Sequence, residues 1–201
     1  MMHQGLWSQI EKIDGPQTAL RAQCRFEPSD HAGKFIITFL NRSYIIDLDK
    51  KLIFPEDASP DESADFIEQL SILAYLIGAK DKPLQNKLVK AETLATGEFF
   101  FRGPHQMPTD QLADAFGENP EKLYQAAEAF NAIKRDYGDT SVELFILPRL
   151  PITIVIWGGD DEFEARAAIL FDQSAGEQLA LDALGAAVNF TVSLLVKVID
   201  N

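Results

Sequence analysis

The run KFIITFLNRSYIIDL, residues 34–48, decides the fold class. Lys34 to Leu40 is rich in Ile, Phe and Thr, side chains that suit a pleated, half-buried surface. Ser43 to Leu48 alternates, with Tyr44, Ile46 and Leu48 on one face and Ile45 and Asp47 on the other. Asn41-Arg42 lies between the two runs, and a short Asn-containing connection between β-like segments reads as a hairpin. Lys51 to Phe54 extends it, with Asp49-Lys50 as the second turn. The sheet therefore begins antiparallel.

Upstream, Leu6 to Ile13 reads as a short amphipathic helix with Trp7 and Ile10 inward, stopped by Gly15-Pro16, and a second short helix follows from Pro16 to Gln23. Downstream, Ser59-Pro60-Asp61-Glu62 has the form of a helix start, with Ser59 as cap, Pro60 in the first turn and Glu62 completing a capping box. Phe66, Leu70, Leu73 and Ile77 then recur at helical spacing up to Gly78. The stretch from Lys80 to Glu98 shows no regular period.

Thr109 opens a further helix that Gly117 closes. Asn119-Pro120 opens the next, with Leu123, Ala126, Ala127, Phe130 and Ile133 as its inner face. Ser141 to Leu147 and Ile152 to Trp157 read as strands joined by the stiff bend Pro148-Arg149-Leu150-Pro151. Ala167 to Asp172 reads as one more strand, and Leu181 to Val198 as a closing helix, apolar on most sides and expected to be buried.

This order lacks the strand–helix alternation of a doubly wound sheet. It predicts an α+β fold: an antiparallel or mixed sheet of about five strands packed with several helices. Residues 1–201 are expected to form a single globular domain, with a short N-terminal helical segment, residues 1–24, packing on it.

Composition narrows the function classes. The net charge of −13 repels phosphate backbones, and no run of Lys and Arg offsets it, so nucleic acid is not expected as a partner. The densest basic stretch, Lys80, Lys82, Lys87 and Lys90, is diluted by Asp81 and Glu92 and reads as a solvated face. The single cysteine, Cys24, excludes an internal disulfide and a thiolate cluster, and it fits a reduced, cytoplasmic compartment. Cys24 has only Arg25 beside it as a helper, so it reads as structural. Met1 to Ile13 lacks the basic-then-apolar pattern of a secretory signal. The most apolar window, Leu179 to Ile199, is interrupted by Asp182, Gly185, Asn189, Thr191, Ser193 and Lys197, and so reads as a core helix with no membrane partner.

Two segments are candidates for chemistry. In Gly97 to His105, a triple Phe is expected to be buried on at least one side, while Arg102 and His105 emerge at a Gly-Pro turn. His105 reads as a ligand or acid–base group, or alternatively as a structural histidine bonded to a backbone carbonyl. In Trp157-Gly158-Gly159-Asp160-Asp161-Glu162-Phe163-Glu164, a strand ends in Gly-Gly and carboxylates follow. Such oxygens suit a hard cation, or one desolvated carboxylate as a general acid. The spacing is not that of a calcium loop, however, and capping of a short helix from Asp161 with a solvated acidic face is the plainer reading. His3 and His31 lie at no metal-ligand spacing from His105, so no metal site is expected. The chain carries no phosphate loop, dinucleotide fingerprint, nucleophile elbow or His-Glu-x-x-His.

The stretch GEFFFRGPHQMP, residues 97–108, together with PRLPITIVIWGGDDEFEARAAILFD, residues 148–172, resembles an uncharacterised bacterial family, domain of unknown function 3786. The likeness runs from the hairpin at Lys34 to the C-terminal helix. It implies relatives in anaerobic bacteria, sometimes joined to iron–sulfur or corrinoid-associated segments, and this chain has no such cysteine-rich segment.

The expected function is a soluble ligand-binding or accessory module, linked to tetrapyrrole, corrinoid or redox metabolism only through that resemblance. Its site would join Arg102, His105, Trp157, Asp160, Asp161 and Glu162 in one pocket between the Phe-rich turn and the Trp157 loop. The alternatives are an enzyme pairing His105 with the carboxylates of residues 160–164, and an acidic domain that steers a basic protein partner. The residues single out no cofactor and no oligomeric state.

Overall fold

The computed structural model describes residues 3–102 and 105–199. The hairpin forms as expected. β2 (Lys34–Phe39) and β3 (Arg42–Asp47) pair antiparallel, flanked by β1 (Arg25–Glu27) and β4 (Leu52–Pro55) in a four-stranded meander. The connection is one residue earlier than the sequence suggests. Leu40 and Asn41 make the turn at φ 46° and 64°, and Arg42 already belongs to β3 opposite Phe39. A two-residue turn with both centres at positive φ has the twist that antiparallel strands need. The strain at Leu40 has a return, because its N–H donates to the Ile146 carbonyl at 3.0 Å and ties the meander to the second sheet.

That second sheet has five antiparallel strands in the order β5-β9-β8-β7-β6. They are β5 (Leu88–Lys90), β6 (Ile133–Arg135), β7 (Thr140–Leu147), β8 (Leu150–Trp157) and β9 (Arg166–Asp172). The fold is thus α+β with two antiparallel sheets, where one sheet of about five strands was expected. The three strands that periodicity missed, β1, β5 and β6, are each three residues long, too short for alternation to register. Ile133, expected on a helix face, is in β6 and 50% exposed, because the helix before it ends at Asn131 in the left-handed region.

One face of the second sheet is apolar across its central strands. Val142, Leu144, Ile152, Ile154, Ile169 and Phe171 are all buried there. α5 (Thr109–Phe116), α6 (Lys122–Ala127) and α8 (Leu181–Ile199) pack against this sheet. On the opposite face Phe145, Tyr137 and Leu88 remain exposed. The meander buries Phe35, Ile37, Tyr44 and Ile46, and α1 (Gln4–Ile10) and α3 (Phe66–Gly78) add Trp7, Ile10, Ile72 and Leu73. These side chains belong to one continuous buried cluster that reaches Leu195.

Two expectations about helices change. α3 starts at Phe66, not at Ser59: Asp65 caps it and Glu68 bonds back to the Asp65 N–H, a complete capping box. Ser59 instead closes a turn, its carbonyl accepting from the Glu62 N–H at 2.8 Å. The closing helix α8 is buried on one stripe only, at Ala183, Leu184, Ala187, Val188, Thr191, Val192 and Leu195. It is long and apolar enough to cross a membrane by length and composition, but that stripe is packed on α3, α5, α6 and β7.

The end of α3 is held by arginine. α2 (Gly15–Ala22) presents Arg21, whose guanidinium donates to the Leu76, Ile77 and Ala79 carbonyls at 2.7, 2.9 and 2.7 Å. Those carbonyls lack helical partners, and no left-handed glycine cap follows, since Ala79 has φ −54°. Arg149, in the β7–β8 turn, completes the lock. Its side chain donates to the Arg21 carbonyl at 2.8 Å, the Lys82 carbonyl at 2.8 Å and the Asp81 carboxylate, while its backbone N–H meets the Tyr75 hydroxyl at 3.1 Å. Only a planar fork reaches three such acceptors at once. Removing it leaves two covered carbonyls without a donor, at about 1–3 kcal/mol each. Arg149→Ala is therefore expected to lose about 3 kcal/mol or more in urea denaturation, and Arg149→Lys to recover only part. A loss below about 1 kcal/mol in Arg149→Ala would show that the lock is not structural.

Candidate functional site

A cleft of about 550 Å³ runs along the side of α8 that the core does not use. Gly185 and Ala186 form its floor, Asp182, Asn189 and Ser193 its polar edge, and Phe190, Ile67 and Phe100 its apolar walls. His105 sits at the rim.

Local sequence explains how the rim is built. α4 (Gly97–Phe100) is a single turn that begins where Gly97 passes the Ala91 carbonyl. A Cβ at position 97 would stand 2.2 Å from that oxygen, so glycine is required there. The triple Phe divides by direction. Phe101 is 1% exposed and anchors the turn, Phe100 is half-buried, and Phe99 is 82% exposed. Phe100 meets Phe101 edge-on at 5.0 Å, and on its other side the His105 ring stacks on it at 4.7 Å and 19°. Gly103 and Pro104, the expected turn between Arg102 and His105, lie outside the described residues.

On α8 the polar side chains are partly spent. The Asn189 amide donates to the Gly185 carbonyl at 2.8 Å, and the Ser193 hydroxyl donates to the Phe190 carbonyl at 2.7 Å. Asp182 accepts the Ala183 N–H on one oxygen at 2.8 Å.

The Trp157 loop is elsewhere. It joins β8 to β9 beside the α5–α6 corner, where the Gly159 N–H donates to the Gly117 carbonyl at 3.2 Å and a Cβ on Gly158 would meet Pro120 at 3.2 Å. Trp157, Asp160, Phe163, Glu164, Arg166 and Asp139 surround a separate cleft of about 360 Å³ that shares no lining residue with the first. Asp160 closes the loop on itself, accepting the Glu162 and Phe163 N–H groups at 2.8 Å each, and no helix follows it. Arg166 covers the Trp157 ring at 4.7 Å. Asp161 and Glu162 are exposed and line neither cleft.

The expected single pocket is therefore two clefts. His105 leaves α4 beside α8, whereas the carboxylates hang from the far end of β8. Among the described residues no hydrogen bond or ion pair joins the His105 ring to a carboxylate of residues 160–164, and no three His, Cys, Asp or Glu side chains converge as a metal site. Arg102 points away as well, paired with Glu98 at 2.8 Å and 64% exposed. Sequence reasoning missed Asp182, Asn189 and Ser193 as site residues. Their signal was present as polar interruptions one helical face apart in an apolar window.

Cys24 is structural in its chemistry: burial pushes its thiol up to about 12, with Arg21 pulling slightly the other way.

These features define an α+β protein of two antiparallel sheets with an open cleft along its last helix. The chain belongs to the family described as domain of unknown function (DUF3786), whose model matches residues 14–193. No curated protein and no solved structure matches it.

A third hollow, about 240 Å³ on the open face of the second sheet, holds the most constrained acid. Asp172 is 3% exposed. Burial pushes its carboxyl up, yet bonds from the Ser174 hydroxyl and from the Ser174, Gln85 and Asn86 N–H groups outweigh burial and hold it below the usual range. A folded-state pKa below the unfolded one gives stability that is present above about pH 4 and lost as pH falls through the folded value. Asp172→Asn is expected to be less stable at pH 7 and to show a flatter acid limb in stability–pH curves. An unchanged acid limb would assign the pH dependence to other carboxylates.

Proposed function

We propose that this chain is a ligand-binding module and that the cleft along α8, with His105 at its rim, is the site. Its size and its lining, apolar walls with a few convergent polar groups, are those of small-molecule sites. One observation carries the reading. The His105 ring stacks on Phe100, and neither of its nitrogens is hydrogen-bonded among the described residues. A histidine kept for structure spends a ring nitrogen on the backbone, as His3 does on the Phe66 carbonyl at 3.0 Å. His105 keeps both nitrogens available beside an apolar hollow.

The narrower version, a tetrapyrrole or corrinoid ligand, draws on the family likeness and on the ability of an imidazole to act as an axial donor to iron or cobalt. It is tested by titrating the purified protein with haem and with cobalamin and following visible absorbance. The expected result is a shift with one of them that His105→Ala abolishes. Absence of a shift with both removes the tetrapyrrole version. A shift that survives His105→Ala removes His105 as the donor.

A further inference from the structure

We infer that the α8 cleft selects a ligand with an aromatic or apolar body and a positively charged hydrogen-bond-donating end, such as an aryl ammonium or amidinium group. This rests on the cleft being a binding site, and it follows from counting what the lining has left to offer.

Donors are scarce. Ser193 has given its only hydroxyl proton to the Phe190 carbonyl, and Asn189 has given one of two amide protons to the Gly185 carbonyl. Acceptors remain. Asn189 keeps its carbonyl oxygen, Ser193 its free lone pair, and Asp182 the oxygen that Ala183 does not use. These three side chains lie along one edge of α8, in the order 182, 189 and 193.

Charge points the same way. The lining contains one carboxylate, Asp182, one imidazole, His105, and neither lysine nor arginine. Arg102, the nearest basic residue in sequence to the rim, is turned to Glu98. The start of α8 would ordinarily attract an anion, but Asp182 already takes the Ala183 N–H there. An anionic ligand would thus face Asp182 with no lysine or arginine in the lining to offset it, and the net charge of −13 adds to the penalty. The same count disfavours haem, whose propionates are anionic.

The apolar wall suits the other end. Phe100 and Phe190 stand on the cleft with Ile67; His105 already stacks on Phe100, and Phe190 is the ring left to take a flat body on its face or a cation over its π system.

The test uses three probes of nearly equal shape on the intact chain: benzamidine, benzamide and benzoate. Binding is followed by NMR through the His105 ring and Asn189 side-chain signals. Benzamidine is expected to bind about tenfold more tightly than benzamide, the difference between a charge-assisted and a neutral hydrogen bond, and benzoate more weakly than either. Asp182→Asn retains an acceptor for the Ala183 N–H and is expected to bring benzamidine and benzamide to the same affinity. Benzoate binding as well as benzamidine, with the same signals moving, overturns the ligand class and leaves the cleft as a site. No movement with any probe overturns both readings for small aromatic ligands. The comparison of probes on the unmodified chain stands whether or not Asp182→Asn folds.

Discussion

The two arginines at the end of α3 are the constraint on which the arrangement of the rest depends. A helix must find donors for its last carbonyls, and α3 ends without a glycine cap. Arg21 supplies those donors from α2, and Arg149 then binds the Arg21 carbonyl from the second sheet. One unsatisfied helix end thereby joins three parts of the chain that are 56 and 128 residues apart in sequence. The Leu40 to Ile146 backbone bond is the second link between the sheets, and it comes from the tight turn of the meander. Hydrophobic burial supplies most of the folding energy, but it has no direction; these polar links fix how the layers sit.

That fixing matters for the cleft. α3 carries the lock at its C-terminal end and Ile67, a wall of the cleft, at its N-terminal end. α8 serves two surfaces at once: Leu184, Val188 and Leu195 face the core, while Asp182, Asn189 and Ser193 border the hollow. The cleft is therefore built on regular helices, with only its rim, at α4 and His105, drawn from an irregular stretch. A floor on regular helices with a rim on a shorter connecting stretch is a common arrangement for a binding site.

Much of this architecture was legible in the chain. Alternation at Tyr44, Ile46 and Leu48 identified one strand through its two-residue period, and the continuous β-branched run from Ile152 to Trp157 identified another that is buried on both faces. Capping was read less well. Ser59-Pro60 and Asp65-Phe66 both have the form of a helix start, and which one acts depends on tertiary bonds such as that of Tyr44 to Glu68. The site was half legible. His105 stood out by type, and the structure places it on a cleft. Its neighbours Asp182 and Asn189 are far away in sequence, and no local pattern says which face of α8 is left uncovered. Sequence likewise could not say that His105 and the Trp157 loop line different clefts, since no local pattern tells where two segments distant in the chain meet.

The bond between Asn86 and Asp172 carries a consequence for the order in which the chain assembles. The meander closes through turns of a few residues, so each of its pairings is local. The edge strand β5 must instead wait for β9, and the Asp172 carboxylate takes its amide protons from a loop 86 positions earlier. Closing a loop costs roughly 0.6 kcal/mol more for each doubling of its length, and that cost comes before the contacts reward it. During synthesis the first sheet is complete in sequence by Pro55, while the second lacks β9, the strand between β5 and β8, until Asp172 has left the ribosome. Until β9 emerges, the apolar strand β8 has only β7 beside it in the sheet.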